Sequence, residues 1–414
     1  MTAEPAARSG SSTPAAPATE VPRQAWTVLA VATLGFGINF WAWALISPLG
    51  SFYSDLLQLS SMQKSLLVAV PVVVGSLGRI PVGALTDRFG ARVMFPLISA
   101  LTIVPVLFVG YVADNSYALM LLGGFILGLG GTTFAIGVPL VNSWFPPARR
   151  GTALGIFGVG MGGTAVSSFS TVGLKNAYGL QVPFTLVAVL LALYAALAYA
   201  LLRDVPGRTV PSGSAVRRAW ETAKLPVTIQ LSLLYAIGFG GFVAFSVYLP
   251  TYLRDAYGLT PGDAAMRTAG FVVLAVAMRP VGGVLSDRLG PVPVLVTTFG
   301  IVAVFAAVSS LERPLAPVGT VAFLAMAAAL GAASGAVFAL VGVVAPAGTV
   351  GSVTGIVGAA GGLGGFVPPL LMGAIYGWAG NYKPGLALLA VAALLAAGYT
   401  ATAMRSAGRP RLAD

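Results

Sequence analysis

The sequence contains no cysteine and no histidine, and charged residues make up only 8% of its 414 positions. Without cysteine there is no disulfide, thiolate nucleophile or thiolate metal ligand, and without histidine there is no imidazole metal ligand or proton relay. A soluble globular chain carries about 25% charged residues, so this chain cannot cover a water-facing surface. The composition therefore indicates a polytopic membrane protein, surrounded by the lipid bilayer, that uses no metal or other cofactor.

Acidic residues are also scarce, with twelve Asp and Glu against 23 Lys and Arg and a net charge of +11. In a soluble protein this excess would suggest nucleic acid, but in a membrane protein it is typical of cytosolic loops, and we expect no nucleic-acid partner. Residues 1–24, rich in Ala, Pro, Ser and Thr, are predicted to be a disordered cytosolic tail, and residues 405–414 a second cytosolic tail.

Apolar stretches of about 20 residues, long enough to cross a bilayer, occur twelve times. The longest polar interruption, residues 203–225, separates an N-terminal half (25–202) from a C-terminal half (226–404), each with six stretches. The stretches are 25–48, 62–85, 92–112, 117–142, 150–173, 181–202, 226–252, 266–286, 292–311, 317–344, 350–377 and 384–404.

The basic residues are distributed unevenly between the two sides. Most lie in the tails and in the loops on the same side, whereas Arg79 and Arg279 lie within helices and six lie on the opposite side. The positive-inside rule then predicts that both termini and the 203–225 loop are cytosolic, in the cytoplasmic (inner) membrane. The six are Lys64, Lys175, Arg254, Arg267, Arg313 and Lys383.

The two halves repeat with an offset of 200 residues: RIPVGALTDRFG at 79–90 matches RPVGGVLSDRLG at 279–290. Two related six-helix halves with a substrate site between them are the architecture of major facilitator carriers. The predicted fold is thus an all-α polytopic major facilitator fold, with twelve transmembrane helices in two pseudo-symmetric halves. Such carriers are commonly monomeric, and we expect a monomer.

Each repeat ends in an Asp–Arg pair at the cytosolic end of its helix. A carboxylate there can accept charge-assisted hydrogen bonds from loop arginines, which would hold the two halves together in one state and release them in the other. The residues assigned to this gate are Asp87, Arg88, Asp287 and Arg288.

Helices 5 and 11 are rich in glycine, with GTALGIFGVGMGG at 151–163 and GSVTGIVGAAGGLGG at 351–365. Glycines four residues apart allow close helix contact and sliding, as a moving interface requires. The glycines assigned to this conformational role are Gly155, Gly158, Gly355 and Gly358.

Arg79 and Arg279 lie eight residues before the Asp–Arg pairs, roughly 12 Å deeper in the membrane. An intramembrane arginine costs at least about 2.5–3.5 kcal/mol and stays ionised. None of the twelve acidic residues lies at that depth, so the counter-charge is most simply an anionic substrate, whose oxygens match the paired guanidinium donors. The alternative is that both arginines extend toward the membrane surface or bind backbone carbonyls. Small residues four positions away are expected to leave space beside each arginine: Gly75, Gly83, Ala275 and Gly283.

Over residues 25–400 the chain resembles the nitrate/nitrite porter family of the major facilitator superfamily. TGIVGAAGGLGGFVPPLL at 354–371 is similar to the glycine-rich signature of helix 11 in that family. The other segments that carry the resemblance are NFWAWALISPL (39–49), LGRIPVGALTDRFG (77–90), GTTFAIGVPLVNSWFPPARRGTALGI (131–156), LLYAIGFGGFVAFSVYLPTYL (233–253) and RPVGGVLSDRLG (279–290).

The resemblance implies that Arg79 and Arg279 hold the anion and that Phe134, Tyr235 and Phe239 form an aromatic pocket, since rings can pack above and below a planar ion. The helix 5 signature departs from the family, which usually has an Asn where this chain has Val159-Gly160-Met161-Gly162. Further candidates for the substrate site are Phe40, Asn142, Gly162 and Gly362.

The expected function is secondary active transport of nitrate and nitrite by alternating access. An empty site with two like charges should close less easily than one that holds an anion, which favours nitrate/nitrite antiport. Three alternatives remain: proton-coupled nitrate uptake, transport of a cyanate-like anion or small carboxylate, and a non-transporting anion sensor with the 203–225 loop as its output. An enzyme is not expected, since no nucleophile–base pair or metal cluster is present.

Overall fold

The computed structural model describes residues 21–207, 220–346 and 350–404. Most of the predicted tail 1–24, all of the tail 405–414 and the middle of the 203–225 loop lie outside these residues. Within the described residues the regular structure is helical throughout, and twelve helices are long and apolar enough to cross a membrane. The predicted all-α architecture with twelve spans is confirmed.

The helices, α1 to α12, run alternately away from and toward the side that holds residue 23. We call that side the terminal end of the bundle and the opposite side the distal end. The twelve spans are α1 Arg23–Leu57, α2 Ser61–Phe89, α3 Ala91–Tyr111, α4 Tyr117–Trp144, α5 Ala153–Tyr178, α6 Gln181–Leu201, α7 Pro226–Tyr257, α8 Pro261–Leu289, α9 Pro291–Ser310, α10 Leu315–Val344, α11 Val353–Ala379 and α12 Lys383–Ala403.

The turn between α7 and α8 is shorter than predicted. α7 continues past residue 252 to Tyr257, and α8 begins at Pro261 instead of residue 266. Thr260 caps α8 by accepting a hydrogen bond from the backbone N–H of Asp263 at 3.2 Å, and a proline at the first helical position suits that start. Asp255, which hydropathy places outside the helix, therefore lies in the last turn of α7.

The glycine that ends each repeat motif has the same backbone conformation in both halves. Gly90 has φ +85° and Gly290 has φ +86°, values that side-chain-bearing residues rarely adopt. Their N–H groups donate to Thr86 and Ser286 carbonyls at 2.8 and 2.9 Å, closing α2 and α8 before the next helix starts. The repeat seen in the sequence therefore forms equivalent helix ends.

Four helices are interrupted near the middle of the bundle. α2 breaks at Gly78, α4 contains a 3₁₀ segment at Gly128–Thr133, α5 contains one at Val159–Gly162, and α11 breaks at residues 365–366. Interruptions of this kind release backbone carbonyls from the helical hydrogen-bond pattern. In carriers they mark binding sites within the membrane.

The halves are joined most closely at the distal end. Lys64 of α2 forms a salt bridge with Asp255 of α7 at 2.7 Å, and these side chains are only 10% and 16% exposed. The same Asp255 oxygen accepts a hydrogen bond from the Tyr382 hydroxyl at 2.8 Å. Burial, followed by the neighbouring Tyr248 and Asp255, raises the pKa of Tyr382, so the hydroxyl keeps its proton and donates.

Two further hydrogen bonds cross between the halves beside this salt bridge. The Ser65 hydroxyl donates to the Tyr248 hydroxyl oxygen at 3.1 Å, and the Ser47 hydroxyl donates to the Val247 carbonyl at 2.6 Å. We call this set of contacts the distal gate; it consists of Ser47, Lys64, Ser65, Val247, Tyr248, Asp255 and Tyr382.

Within the C-terminal half, α8 and α10 touch through glycine. A methyl group added at Gly335 of α10 would overlap the backbone carbonyl of Arg279, whereas Gly342, two turns further along the same helix, has nothing within 4 Å. Backbone contact of this kind permits close helix packing. Gly335 therefore fixes the position of the backbone that carries Arg279.

We predict that Gly335→Val destabilises the protein by about 1–3 kcal/mol, the usual cost of overpacking. Gly342→Val is the matched control, since it makes the same chemical change in the same helix without a clash. Thermal unfolding in detergent should show a lowered midpoint only for Gly335→Val. Equal midpoints would contradict the backbone contact.

Candidate functional site

Arg79 begins the second segment of α2, directly after the break at Gly78, and is 8% exposed. Its Nη1 donates to the Gly358 carbonyl of α11 at 2.8 Å, and its Nε donates to the Gly131 carbonyl of α4 at 3.3 Å. The guanidinium carbon lies 5.0 Å from the centre of the Phe134 ring. Arg79 thus uses one backbone carbonyl from each half.

Arg279 of α8 is half-buried and makes contacts of a different kind. Its Nη2 donates to the Tyr235 hydroxyl at 2.8 Å, and its Nη1 lies 2.7 Å from the sulfur of Met161 in α5. The guanidinium carbon is 5.4 Å from the ring centre of Phe239 and 5.6 Å from that of Phe338. Side chains, not backbone carbonyls, surround this second arginine.

Consecutive glycines of α11 bring the two arginines to one site. A methyl group at Gly362 would lie 3.5 Å from Nη1 of Arg79, and one at Gly361 would overlap the Tyr235 ring that holds Arg279. Each arginine also contacts the glycine-rich helix of the opposite half, α11 for Arg79 and α5 for Arg279. The site therefore lies between the halves, at the level of the helix interruptions.

No carboxylate neutralises this pair within the described residues. The salt bridges found there join Lys64 to Asp255, Arg254 to Asp55 and Lys383 to Glu312, and none includes either arginine of the site. The same residues contain no group of three acidic, His or Cys side chains that could hold a metal ion. The site combines two cationic groups with neutral partners.

The predicted aromatic pocket is brought together around the arginines. Tyr235 and Phe239 stack with ring centres 4.9 Å apart and an interplanar angle of 6°, and Phe134 packs on Arg79. Phe40 lies farther into the N-terminal half, where its ring is 4.3 Å from that of Phe36. Phe40 therefore supports the pocket from behind and does not line it.

The small residues beside the arginines fall into two groups. A methyl group at Gly83 would have its nearest atom 3.9 Å away and one at Gly283 would have none within 4 Å, whereas Gly75 and Ala275 leave no space, and for these two the expectation was wrong. A methyl group at Gly75 would lie 3.1 Å from Trp43 Nε1 and 3.3 Å from the Gly128 carbonyl, so the glycine allows α2 to approach α4. The carbonyl of Ala275 is likewise covered by Gly331 of α10. Sequence spacing cannot distinguish room for a ligand from room for a neighbouring helix.

Open space also lies along α5 and α11. Nothing lies within 4 Å of a methyl group built at Gly158, Gly162 or Gly355, and at Gly155 the nearest atom is 4.0 Å away. Gly358, predicted to act in sliding, also belongs to the site because its carbonyl accepts from Arg79. The glycine-rich helices therefore present an open face toward the region between the halves.

The remaining predicted residues lie at the terminal end. Asn142 is two residues before the end of α4, about 12 Å along the helix from Phe134, so the structure does not bring it to the arginines. Asp87 is exposed and lines a cavity of about 340 Å³ together with Asp204. Arg88, Asp287 and Arg288 are also exposed. The role of the two Asp–Arg pairs as a gate stays a prediction.

Three residues of the site were not predicted: Met161, Phe338 and Gly131. Methionine and phenylalanine on apolar helices most often belong to the core, and the Gly131 carbonyl lies where α4 is interrupted by a 3₁₀ segment. The GLGGTT run at residues 128–133 was the one signal for such an interruption. Met161 drew attention only as a departure from the family signature.

This arrangement suits an anion with planar, delocalised charge. Guanidinium groups from opposite halves can donate paired hydrogen bonds to oxyanion oxygens. Tyr235, Phe239, Phe134 and Phe338 provide apolar walls that exclude water, which strengthens the electrostatic attraction. A cation would be repelled by both arginines.

Comparison with known proteins identifies the family of this chain. The model of the Major Facilitator Superfamily matches residues 32–369 and 231–411. A probable nitrate/nitrite transporter of Mycobacterium tuberculosis, NarK2, is 48% identical over 375 residues, covering 90% of this chain and 95% of the relative. A nitrite extrusion protein of Bacillus subtilis is 39% identical over 271 residues, covering 66% and 68%.

The fold is also found in solved structures. A bacterial homologue of the human lysosomal transporter Spinster, in an inward-facing and occupied conformation, superposes with a TM-score of 0.71 at 20% identity and covers 94% of this chain and 99% of that one. The sequence identity is too low to indicate more than the fold. With the relatives above, these observations establish that the chain belongs to the nitrate/nitrite porter family of the major facilitator superfamily.

Proposed function

We propose that this protein carries nitrate and nitrite across the cytoplasmic membrane by exchange, with the anion bound between Arg79 and Arg279. The observation that carries the proposal is the pair of arginines, one from each half, that meet at one level of the bundle with neutral partners. The names of the relatives favour nitrate and nitrite as the cargo.

Electrostatics favours exchange over movement of the empty carrier. Bringing the two halves together forces two guanidinium charges toward each other in a region of low dielectric, where like charges repel strongly. An anion between them converts that repulsion into two attractions. A ligand shifts a conformational equilibrium by its differential affinity for the two states, so the loaded carrier should interconvert more readily than the empty one.

Alternating access also requires an entrance that opens and closes, and the distal gate is suited to that role. Assigning the termini to the cytosol makes the distal end the outer face, which is closed by the Lys64–Asp255 salt bridge. The open faces of α5 and α11 then lie on the cytosolic side. In this assignment the described conformation is closed to the outside.

A proton-coupled mechanism has less support in the described residues. Asp255 is a carboxylate that is only 16% exposed, but Lys64 and Tyr382 hold it at the distal end of the bundle, away from the arginines. A carrier that couples proton and anion at one site needs a titratable group there. Exchange needs only the two arginines.

We expect Arg79→Lys and Arg279→Lys each to reduce nitrate/nitrite exchange by about tenfold to a hundredfold, since lysine keeps the charge but loses the paired donors. The measurement is nitrate uptake into proteoliposomes with nitrite trapped inside. Arg92→Lys is the matched control, since Arg92 packs over the Tyr199 ring, 5.9 Å from its centre, at the terminal end.

Each result of that assay bears on a separate part of the proposal. Uptake without any trapped anion would contradict obligatory exchange and favour proton-coupled or uniport movement. Uptake of cyanate or a small carboxylate that nitrate fails to inhibit would contradict the cargo. Anion binding without flux in any condition would indicate a sensor.

We predict that Lys64→Gln opens the distal gate, because removing one partner of a buried pair leaves the other charge uncompensated, at a cost of about 3–5 kcal/mol. The chain has no native cysteine, so Ser246→Cys, at a position 1% exposed in α7, provides a single reporter. Labelling by a membrane-impermeant maleimide from the distal side should be at least about tenfold faster in the Lys64→Gln background.

Lys383→Gln is the matched control for the gate. It removes a lysine at the same end of the bundle, but its salt bridge with Glu312 lies within one half and is 54% and 30% exposed. Such pairs contribute little, so labelling should stay at the wild-type rate. If Lys64→Gln labelled no faster than this control, the salt bridge would not hold the halves together.

A further inference from the structure

We propose that Met161 is a positioning residue of the anion site: its thioether holds Nη1 of Arg279 while the carrier is empty and gives that donor up when an anion binds. This inference rests on the proposed function, since it names a residue that sets the affinity of the same site. The supporting contact is the 2.7 Å approach of Arg279 Nη1 to the Met161 sulfur.

The two halves differ in the groups that accept hydrogen bonds from the two arginines. Arg79 donates to the carbonyl of Gly358, and the equivalent acceptor for Arg279, 200 residues earlier, would be the carbonyl of Gly158. Arg279 instead reaches the side chain of Met161, whose own equivalent in the other half is Gly361. One arginine is therefore held by backbone and the other by a side chain.

The two acceptors also differ in strength and in mobility. A backbone carbonyl is a strong acceptor that can move only with its helix, whereas a thioether is a weak acceptor on a side chain with three rotatable bonds. An anionic oxygen competes easily with sulfur for a guanidinium N–H, because hydrogen bonds between two charged groups are much stronger. An anion can thus take the Nη1 donor of Arg279 more readily than that of Arg79.

The backbone around Met161 is fixed, so the side chain is the part that can move. A methyl group on Gly160 would lie 2.8 Å from the Thr33 carbonyl of α1, and one on Gly163 would overlap the Gly37 carbonyl. The carbonyl of Met161 itself accepts from the Thr164 hydroxyl at 3.0 Å.

The side chain has somewhere to go when it releases Arg279. Nothing lies within 4 Å of a methyl group built at Gly158 or Gly162, on either side of Met161 along the chain. These positions leave methyl-sized space on the helix that carries Met161, and this is the space that we assign to the released thioether.

The test compares Met161→Gln with Met161→Leu. Glutamine has nearly the length of methionine but ends in a strong acceptor, so it should retain Arg279 and weaken nitrate binding by about tenfold, the difference between a hydrogen bond to a charged group and a sulfur contact. Leucine conserves the volume and removes the acceptor, so the Kd for nitrate should equal the wild-type value or fall by up to about threefold.

The measurements are the nitrate Kd of the purified full chain in detergent, by calorimetric titration, and the KM and maximal rate of nitrate/nitrite exchange in proteoliposomes. For Met161→Gln the KM should rise with the Kd while the maximal rate at saturating nitrate is retained. A purely structural role would instead lower the maximal rate and the thermal midpoint with the Kd unchanged.

The outcomes separate the two proposals. If wild-type protein binds no nitrate, the proposed function fails, and this inference fails with it. If wild-type protein binds and exchanges nitrate but Met161→Gln binds it equally or more tightly, or Met161→Leu binds it as weakly as Met161→Gln, the role of Met161 is refuted and the two-arginine site stands.

Discussion

A guanidinium inside the membrane must always have a partner, and in this protein two of them face that requirement together. Arg79 and Arg279 lie between the halves with carbonyl, hydroxyl, thioether and aromatic neighbours and without a carboxylate salt bridge in the described part of the chain. Each uses the glycine-rich helix of the opposite half to satisfy part of its hydrogen-bonding capacity. The arginines therefore link the two halves as well as attract an anion.

The local backbone follows from that requirement. One acceptor of Arg79, the Gly131 carbonyl, lies where α4 changes to 3₁₀ geometry at Gly128–Thr133, whereas the other, the Gly358 carbonyl, lies within a continuous helical segment of α11. The glycines of this segment also bring α2 and α4 close enough for the contact, with Gly75 against Gly131. The interruptions of α2, α4 and α5 are thus part of the site.

Hydropathy and the repeat were sufficient to predict the twelve spans and the two arginines, because a helix that crosses lipid must be apolar and an ionised exception is conspicuous. The distal gate was not predictable in this way. Lys64 was placed on the side opposite the termini, and hydropathy places Asp255 outside its helix, but neither placement indicates the salt bridge that joins these residues between the halves. Only tertiary structure shows which charged ends face a partner instead of water.

Glycine and methionine show a second limit of prediction from sequence, which concerns the group that a buried residue contacts. The spacing of Gly75 and Gly83 around Arg79 fits a ligand space and a helix contact equally well, and packing against Trp43 selects the contact at Gly75. Met161 is 2% exposed, as a core methionine would be, yet its sulfur lies beside a charge. Residue type and periodicity carry no information on what a buried side chain faces.

α2 joins the gate to the site. Its distal turn carries Lys64, attached to Asp255 of α7, and its second segment carries Arg79, attached to Gly358 of α11. Asp55 is the repeat equivalent of Asp255, but Ala264 stands at the position equivalent to Lys64. Asp55 pairs at 3.5 Å with Arg254 instead, and the Asp55 side chain is 71% exposed. The buried Lys64–Asp255 salt bridge thus has no counterpart at the equivalent positions of the repeat.

This one-sidedness gives α2 a particular place in alternating access. An anion that binds Arg79 competes with the Gly358 carbonyl for the same guanidinium group. Arg79 lies on the second segment of α2, and the break at Gly78 separates it from the distal segment, which the Lys64–Asp255 salt bridge holds. In α8, Ala264 stands at the position equivalent to Lys64, and Arg279 contacts the thioether of Met161 instead of a carbonyl, so neither of these two attachments of α2 has a counterpart of the same kind in α8.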